Sequence, residues 1–294
     1  MPCYHPILGY RSVEVGKTGK RKIIFSANKA YVDLQVKLPC GQCIGCRLEK
    51  ARQWAIRCVH EASLWEKNCF ITLTYNDDNL PANGSVSKRE FQLFMKRLRK
   101  KYNTHKIRYY ACGEYGEKYS RPHYHACLFG FDFDDKKVLY GGGEYIVYRS
   151  AGLEDVWKYG FSSIGELTFE SAGYVARYVM KKLIGRRENE YGEKEKEFAL
   201  MSRRKGIGNE WINKYKRDVY PKDFLTIRGK KMKPPMYYDN ILEGLDPEMY
   251  KEVKEKRAKY KDEDGGRRLL EREKYKELQT KTLIRSYENG TEYV

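Results

Sequence analysis

Two histidines separated by a single residue constrain this chain more than any other feature of its sequence. His123 and His125 follow Arg121 and lead into the apolar run 126–129, a composition typical of a β-strand. Side chains alternate between the two faces of a strand, so both imidazoles point to one face and can bind the same cation. The sequence therefore predicts a strand that carries two metal ligands.

A pair of tyrosines begins 49 residues after His125. Tyr174 and Tyr178 are four residues apart, so on a helix they share a face. A phenol can attack phosphorus, although it is mostly protonated at neutral pH and needs a nearby cation or base. Metal ligands and phenols together predict DNA cleavage with tyrosine as the nucleophile. The alternative is that one or both rings pack in the core, as aromatic residues at helical spacing often do.

These motifs resemble those of the HUH endonucleases, and among them the rolling-circle replication initiators of small single-stranded DNA phages. The frame Tyr-Val-Ala-Arg-Tyr-Val at 174–179 is similar to that of the gene A proteins of isometric coliphages. The cysteine-rich stretch 39–46 is similar to the amino end of the replication proteins of the gokushovirus branch of the microviruses. The resemblance runs to about Gly185. It implies site-specific nicking at an origin through a 5′-phosphotyrosine link, and strand transfer that closes a circle.

The order of the predicted elements is compatible with an α+β fold in which helices pack on a central antiparallel sheet. We expect strands at 69–75, 107–112, 123–131 and 161–167, and helices at 47–65, 88–101, 153–158 and 171–183. Ser87 caps the second of these helices in a capping box with Glu90. The resemblance implies the ferredoxin-like, or RRM-like, core of the HUH endonucleases.

Composition and motifs divide the chain into four segments. We expect a cysteine-rich amino-terminal region at 1–50, the endonuclease core at 51–185, a basic extension at 186–245 and a charged helical tail at 246–294. The tail has 13 Lys and Arg against 12 Asp and Glu, so nearly all of the net charge of +18 lies on the first three segments. A one-sign excess over the part that carries the motifs suits a nucleic acid partner.

The catalytic ion is expected to be Mg²⁺ or Mn²⁺, which prefers oxygen, so a carboxylate should join the imidazoles. Glu114 is the candidate, because it ends the preceding strand and has the same parity as Tyr110 and Cys112. Its place is also similar to that where related initiators supply a carboxylate. Glu117 is the alternative, since the following loop could bring it in. The competing interpretation is that the histidines are half-buried polar residues of a strand.

Basic residues near the motifs are candidates for contact with DNA phosphates. Lys182 is four residues past Tyr178 and therefore shares the helix face of the tyrosines, where it could contact a phosphate or the phenolate. The candidates are Arg121, Arg177, Lys181 and Lys182.

Clustered cysteines predict a second metal site. The chain opens with nothing like a secretory signal, so its eight cysteines are not expected to form disulfides. Cys40, Cys43 and Cys46 offer three thiolates at the spacing of a zinc knuckle, which would hold a structural Zn²⁺. Reduced buried thiols are the alternative. The candidates for a fourth ligand are Cys3, and after it His5, Cys58 and His60.

Other sequence features indicate where the protein acts and which partners it needs. No apolar run approaches the roughly 20 residues of a membrane-spanning helix, so we expect a protein of the host cell cytoplasm with no membrane partner. Arg11 stands where a phosphate-binding loop ending in Gly16-Lys17-Thr18 requires glycine. We therefore expect origin DNA as the partner, single-stranded or as supercoiled duplex, with a helicase and a polymerase supplied by the host. Two other functions stay open: an HUH transposase or relaxase, and a zinc-bearing nucleic-acid-binding protein without catalysis.

Overall fold

The computed structural model describes residues 3–16, 19, 21–116, 119–142, 145–181, 193–259 and 267–291, and at 145, 177–181 and 283–291 it describes the backbone alone. The chain forms two compact units. Met1–Glu49 and Asp262–Val294 make up the first, which we call the terminal unit, and Lys50–Lys261 make up the second, the central unit.

Strands and helices alternate along the chain. The strands are β1 (Ile7–Val15), β2 (Arg21–Ile24), β3 (Ala30–Leu38), β4 (Asn68–Tyr75), β5 (Arg108–Tyr115), β6 (Pro122–Phe129), β7 (Lys137–Gly142), β8 (Tyr145–Arg149), β9 (Gly160–Gly165), β10 (Phe198–Met201), β11 (Leu225–Ile227) and β12 (Lys230–Met232). The helices are α1 (Ile44–Ala62), α2 (Lys88–Lys101), α3 (Ala151–Val156), α4 (Phe169–Lys181), α5 (Asn209–Val219), α6 (Met236–Leu245), α7 (Pro247–Lys259) and α8 (Arg267–Thr291).

The terminal unit contains a three-stranded antiparallel sheet in the order β2-β1-β3. A small core beside the cysteines joins Tyr4 and Cys43 to Leu269, which lies in the first turn of α8. The two ends of the chain therefore fold together, and the sequence predicted α8 as a charged helix of the tail.

The central unit is built on a seven-stranded sheet in the order β10-β5-β6-β4-β9-β8-β7, antiparallel at every pairing. Its middle strands have the sheet order β5-β6-β4-β9 and the chain order β4-α2-β5-β6-α3-β9, with the hairpin β7–β8 inserted between β6 and α3. This is the βαββαβ connection of a ferredoxin-like fold. The predicted α+β class, with helices on a central antiparallel sheet, is confirmed.

Alternating side chains give this sheet two different faces. On β4, Cys69, Ile71, Leu73 and Tyr75 are buried and pack with α2 and α3. Phe70, Thr72 and Thr74 point to the other face, where α4 packs on β5 and β6. We call these the core face and the site face. Directly opposite residues of an antiparallel pair share a face, so the register of the whole sheet can be followed from these positions.

Local signals explain the helix that covers the core face. The Oγ of Ser87 accepts a hydrogen bond from the backbone N–H of Glu90 and begins α2 as predicted. An apolar stripe at helical spacing then faces the sheet. It consists of Phe91, Phe94, Met95 and Leu98.

A second core lies beyond the sheet, where α5, α6 and α7 pack with Ile56 of α1. A buried ion pair accompanies it, since Nε of Arg108 lies 2.6 Å from Oε1 of Glu61. The guanidinium also donates to the backbone carbonyls of residues 204–206, while Oε2 of Glu61 accepts the N–H of Gly208. Strand β5 thereby holds the segment that leads into α5. In the described part of the chain, no helix has the length and apolar character needed to cross a membrane.

Candidate active site

A carboxylate and two imidazoles meet at neighbouring ends of β5 and β6. Glu114 is paired directly with His123, and Cys112 is paired with His125, so all four side chains point to the site face. Because His123 and His125 are two residues apart on one strand, Glu114 can reach both rings. Glu114, His123 and His125 are called the triad below.

The triad is compact and shielded from water. Oε1 of Glu114 lies 2.8 Å from Nε2 of His123 and 3.0 Å from Nε2 of His125. The imidazole rings are nearly perpendicular, with centroids 4.9 Å apart. The carboxylate is fully buried, and the exposed fractions of the two imidazole side chains are 16% and 7%. A buried carboxylate is costly unless a cation compensates it, so this arrangement requires positive charge.

The second nitrogen of each ring is held by a neighbour. Nδ1 of His123 lies 3.0 Å from the carbonyl oxygen of Arg121, which can only accept, so Nδ1 carries the proton. Nε2 of the same ring faces Oε1 of Glu114, which also only accepts, so a proton or a bound cation must lie between these two atoms. Thr72 on β4 plays the corresponding part for His125, with Oγ1 3.0 Å from Nδ1. Sequence reasoning missed Thr72, although it alternates with buried residues of β4 and therefore faces the site.

The triad fits a hard divalent ion. Its ligand atoms all lie within 4.8 Å of one another. Neighbouring ligands of an octahedral Mg²⁺ at about 2.1 Å stand roughly 3.0 Å apart, close to the distances from Oε1 of Glu114 to the two Nε2 atoms. Oε2 of Glu114 is buried and has no hydrogen-bond partner among the described residues. One carboxylate and two imidazoles are suited to such an ion and leave positions for water or phosphate.

Helix α4 brings one predicted nucleophile to the triad. The ring of Tyr174 meets the ring of His125 edge to face, with centroids 5.0 Å apart and planes at 86°. It also contacts Phe70 at 6.4 Å. The buried residues Val175 and Ala176 fix the helix on the sheet. Tyr174 is half-buried against the site face rather than enclosed in the core.

For several other candidate site residues, the structure describes the backbone alone or does not describe the residue. Arg177, Tyr178 and Lys181 belong to α4, and their side chains lie outside the described part of the chain. Lys182 and the alternative ligand Glu117 lie outside the described residues altogether.

Arg121 makes contacts within the protein. Its guanidinium donates to the carbonyl oxygen of Tyr75 at 2.9 Å and pairs with Asp77 at 2.5 Å, and 34% of the side chain is exposed. These bonds join the start of β6 to the end of β4. They also place the carbonyl of Arg121 where Nδ1 of His123 can donate to it.

Four cysteines converge in the terminal unit. The sulfurs of Cys3, Cys40, Cys43 and Cys46 all lie within 4.8 Å of one another, and those of Cys3 and Cys43 are 4.0 Å apart. Four sulfurs bound to tetrahedral Zn²⁺ at about 2.3 Å would stand roughly 3.8 Å apart, so the group has the dimensions of a Cys₄ site.

Backbone amides point at these sulfurs. The sulfur of Cys40 accepts hydrogen bonds from the N–H groups of Gln42 and Cys43, and the sulfur of Cys3 accepts from Cys40. Burial raises the pKa of the Cys40 thiol. Hydrogen bonds from the amides of Cys43 and Gln42, together with those from the side chains of Cys3 and Cys43, outweigh burial and bring that pKa down to about 7. Amide donors that favour a thiolate are typical of the sulfur ligands of a metal.

The other candidates for the fourth ligand of the cysteine site contact different residues. Nε2 of His5 pairs with Glu273 at 2.6 Å. Cys58 is buried beside Cys127, and Nδ1 of His60 lies 3.0 Å from the hydroxyl of Tyr238. Among the described candidates, Cys3 is the one that joins the three clustered cysteines.

The chain is similar to replication-associated proteins of phages. The family described as Replication-associated protein ORF2/G2P matches residues 68–183, a range that runs from β4 through α4 and holds the triad and both tyrosines. Replication-associated protein VP4 of Bdellovibrio phage phiMH2K is 35% identical over 253 residues, which cover 82% of this chain and 79% of that protein.

Two further relatives carry the same kind of name. Replication-associated protein ORF2 of Spiroplasma virus 4 is 36% identical over 250 residues, covering 80% of this chain and 77% of that protein. Replication-associated protein ORF4 of Chlamydia phage 1 is 30% identical over 216 residues, covering 71% of this chain and 54% of that protein. No solved structure matches the chain.

Proposed function

Because the chain belongs to the phage replication-associated proteins of the ORF2/G2P family, we propose that it initiates replication of a phage genome in the host cell by cutting one DNA strand at the origin. The observation that carries this proposal is the contact between Tyr174 and His125. In this contact Tyr174, the candidate nucleophile, lies beside the triad, the candidate binding site for a divalent ion. In the proposed cleavage both groups act on the same phosphate, so they must lie close together.

In this reaction the phenolic oxygen of Tyr174 attacks the scissile phosphorus. As the bond from phosphorus to the tyrosine oxygen forms, the phenol gives up its proton to solvent and the bond from phosphorus to the 3′ oxygen breaks. The leaving 3′ oxygen takes up a proton from solvent, and the 5′ phosphate stays on tyrosine. Exchange of one phosphodiester for another preserves the energy for rejoining and leaves a 3′-OH as a primer. The host would supply the polymerase that extends this end and the helicase that unwinds ahead of it.

The triad residues bind and orient. When bound, Mg²⁺ or Mn²⁺ polarises the scissile phosphate and stabilises charge on the leaving oxygen. Glu114 supplies the oxygen ligand that such an ion prefers, while His123 and His125 supply nitrogen ligands from the next strand. Arg121 and Thr72 hold the second nitrogens of the two rings, which fixes the rings in the orientation that binding requires.

A second tyrosine allows a complete cycle. Tyr174 and Tyr178 both belong to α4, one turn apart. While one tyrosine holds the displaced strand, the other can cut the regenerated origin, and the released 3′ end then attacks the first phosphotyrosine to close a circle. Arg177, Lys181 and Lys182 are proposed to contact phosphate from the same helix and the residue that follows it.

The cysteines of the terminal unit are proposed to hold one structural Zn²⁺. Cys3, Cys40, Cys43 and Cys46 supply four sulfurs at tetrahedral dimensions, and several backbone amides stabilise them. A unit that buries so little apolar surface gains much of its stability from such a centre.

Incubation of the purified protein with single-stranded or supercoiled origin DNA and Mg²⁺ or Mn²⁺ tests the proposal. We expect a covalent protein–DNA adduct that survives denaturing electrophoresis. It should be absent from the double variant Tyr174→Phe, Tyr178→Phe, and present in Tyr275→Phe, which changes an exposed tyrosine of α8. An adduct that persists in the double variant would refute the assignment of the nucleophiles.

The same assay separates the other functions. A transposase or relaxase would prefer a transposon end or a transfer origin as substrate, whereas a non-catalytic protein would bind DNA and form no adduct with any of them. The names of the relatives favour an initiator.

A further inference from the structure

The site face of the central sheet continues past the triad and ends in an exposed aromatic residue. Glu114 pairs with His123, His123 pairs with Thr74, and Thr74 pairs with Phe161 on β9. Directly opposite residues of antiparallel strands share a face, so these four side chains form one row across the sheet. Phe161 therefore lies on the face of the triad, two strands from His123.

Phe161 is exposed to an unusual degree for a phenylalanine in a sheet. Its exposed fraction is 64%, whereas Phe198, at the far end of the same sheet, is 3% exposed. Among the described residues no aromatic ring stacks on it. Helix α4 contacts the site face at β5 and β6, and among the described residues the Phe161 side chain on β9 stays exposed.

The distance from the triad suits a nucleotide. Strands in a sheet are about 4.8 Å apart, so two spacings put Phe161 roughly 10 Å from His123. That is the reach of a nucleotide next to a phosphate bound at the triad. Thr74, the residue between them, is small and polar and does not block the way.

A neighbouring row adds positive charge. His125 pairs with Thr72, and Thr72 pairs with Ser163. The pairing of Tyr148 with Ile164 places Arg149 across from Ser163, and Arg149 pairs in turn with Lys137 at the edge of the sheet. Arg149 is bound to Glu154, whereas Lys137 is exposed and has no ion-pair partner in the described part of the chain. The open half of the site face thus combines an aromatic ring with a cation.

We propose that this open half binds the single-stranded DNA on one side of the scissile phosphate, and that Phe161 stacks on an unpaired base there. The inference rests on the proposed function, because it takes the triad as the place of the scissile phosphate. Sites that bind single-stranded DNA combine exposed aromatic side chains with cations. The rings stack on the faces of unpaired bases, and the cations contact the phosphates. Lys137 contacts the phosphate backbone farther along the strand.

Binding without cleavage tests the proposal directly. Fluorescence anisotropy with a single-stranded origin oligonucleotide and no divalent ion should show about ten- to hundredfold weaker binding for Phe161→Ala. Phe161→Trp should keep wild-type affinity, and Phe161→Leu, which retains an apolar side chain without a ring, should lose most of it. Val138→Ala is the matched control, because Val138 is 61% exposed on the core face of the same sheet.

A cross-link locates the contact. 5-Iodouracil placed in turn at each position around the cleavage site should cross-link on irradiation to the peptide that contains Phe161, at one position only. Lys137→Gln should lower the slope of affinity against salt by about one unit. Equal binding by wild type, Phe161→Ala and Phe161→Leu would overturn the proposal. Adduct formation by the wild type with Mn²⁺ tests the proposed cleavage separately. The proposed cleavage and the proposed stacking by Phe161 can therefore fail independently.

Discussion

The ring of Tyr174 stands edge to face against the ring of His125, with centroids 5.0 Å apart. Helix α4 and strand β6 are separated in sequence by β7, β8, α3 and β9, so this contact exists only because the sheet brings α4 back over β6. Edge-to-face contact is a favourable aromatic geometry, and it holds the Tyr174 side chain against β6, the strand of His123 and His125.

Removal of the Tyr174 hydroxyl should separate chemistry from packing. Tyr174→Phe keeps the ring that packs on His125 and Phe70 and loses only the attacking oxygen. We expect the first cleavage of origin DNA to fall by at least about 100-fold, with a melting temperature within about 2 °C of the wild type. Denaturing gels and thermal unfolding measure the two quantities.

The second tyrosine gives the informative comparison. Tyr178→Phe should still form an adduct in single-turnover cleavage and should fail in circle closure, if Tyr174 acts first. The opposite pattern, with Tyr178→Phe defective in the first cut and Tyr174→Phe competent, would reverse the order of the two residues.

The carboxylate of the triad should determine ion binding. Glu114→Gln preserves the shape of a fully buried side chain and removes its charge. We expect Mn²⁺ affinity, measured by calorimetry, to fall by more than about 100-fold, because loss of a partner that merely orients a ligand already costs up to that amount. Binding of origin DNA without metal should persist, since other cations support it.

Glu210→Gln is the control, because Glu210 is exposed and its carboxylate lies 3.6 Å from Nζ of Lys205. Unchanged Mn²⁺ binding in Glu114→Gln would exclude this carboxylate as a ligand and leave Glu117 as the candidate.

Local signals account for the elements that the sequence predicted well. Helix α2 begins and ends at the predicted residues, because the Ser87 cap and an apolar stripe both lie within the segment itself. The predicted capping box is half formed, since the N–H of Ser87 donates to the hydroxyl of Tyr124 and not to Glu90. The α+β class followed from the alternation of such segments. His123 and His125 could be assigned to one strand face because period two is a property of any strand.

Other elements depend on partners that are distant in sequence. Strand β10 has four residues, and its Phe198 pairs with Gly113, where a Cβ would come within 2.6 Å of the Phe198 ring. No sequence pattern within 198–201 predicts that the Phe198 ring packs on Gly113. Thr72 was missed for the same reason, since its role depends on the register that sets it opposite His125. The hairpin β7–β8 was also not predicted, because an edge strand buries no face that would give it a periodic pattern.

Zinc content should follow the cysteine cluster. The intact protein should contain one Zn²⁺ per chain by metal analysis, and Cys43→Ser should reduce this to a small fraction, since the sulfur of Cys43 is buried among the other three. Cys58→Ala, a buried cysteine outside the cluster, should leave the zinc content unchanged. Full-length protein that is free of zinc and equally resistant to proteolysis at residues 1–49 would contradict the assignment.

The buried pair of Glu61 and Arg108 should be a large contributor to cooperative stability. Glu61→Ala leaves the Arg108 guanidinium buried without its carboxylate and removes the acceptor of the Gly208 N–H. We expect the free energy of unfolding in urea to fall by about 3–5 kcal/mol. The double variant Glu61→Leu, Arg108→Met should recover part of that loss, because it removes both charges. Additive losses would show that the two side chains act independently.

Acid should destabilise the central unit through His60. This ring stacks on Trp211 with centroids 3.5 Å apart and lies 3.0 Å from the hydroxyl of Tyr238. Burial lowers the pKa of His60 from 6.5 to about 3, so the folded state binds fewer protons than the unfolded state between these pH values. Stability is therefore complete above pH 6.5 and falls as the pH drops, by about 2–3 kcal/mol at pH 4.5.

Urea unfolding at a series of pH values measures this effect. His60→Gln retains a hydrogen-bonding side chain beside Tyr238 and cannot be protonated, so its stability curve should be flatter than that of the wild type between pH 6.5 and 4. His105→Gln changes an exposed histidine and should keep the wild-type slope. Identical slopes for all three proteins would mean that His60 gains access to water before the unit unfolds, because only a ring that stays buried resists protonation.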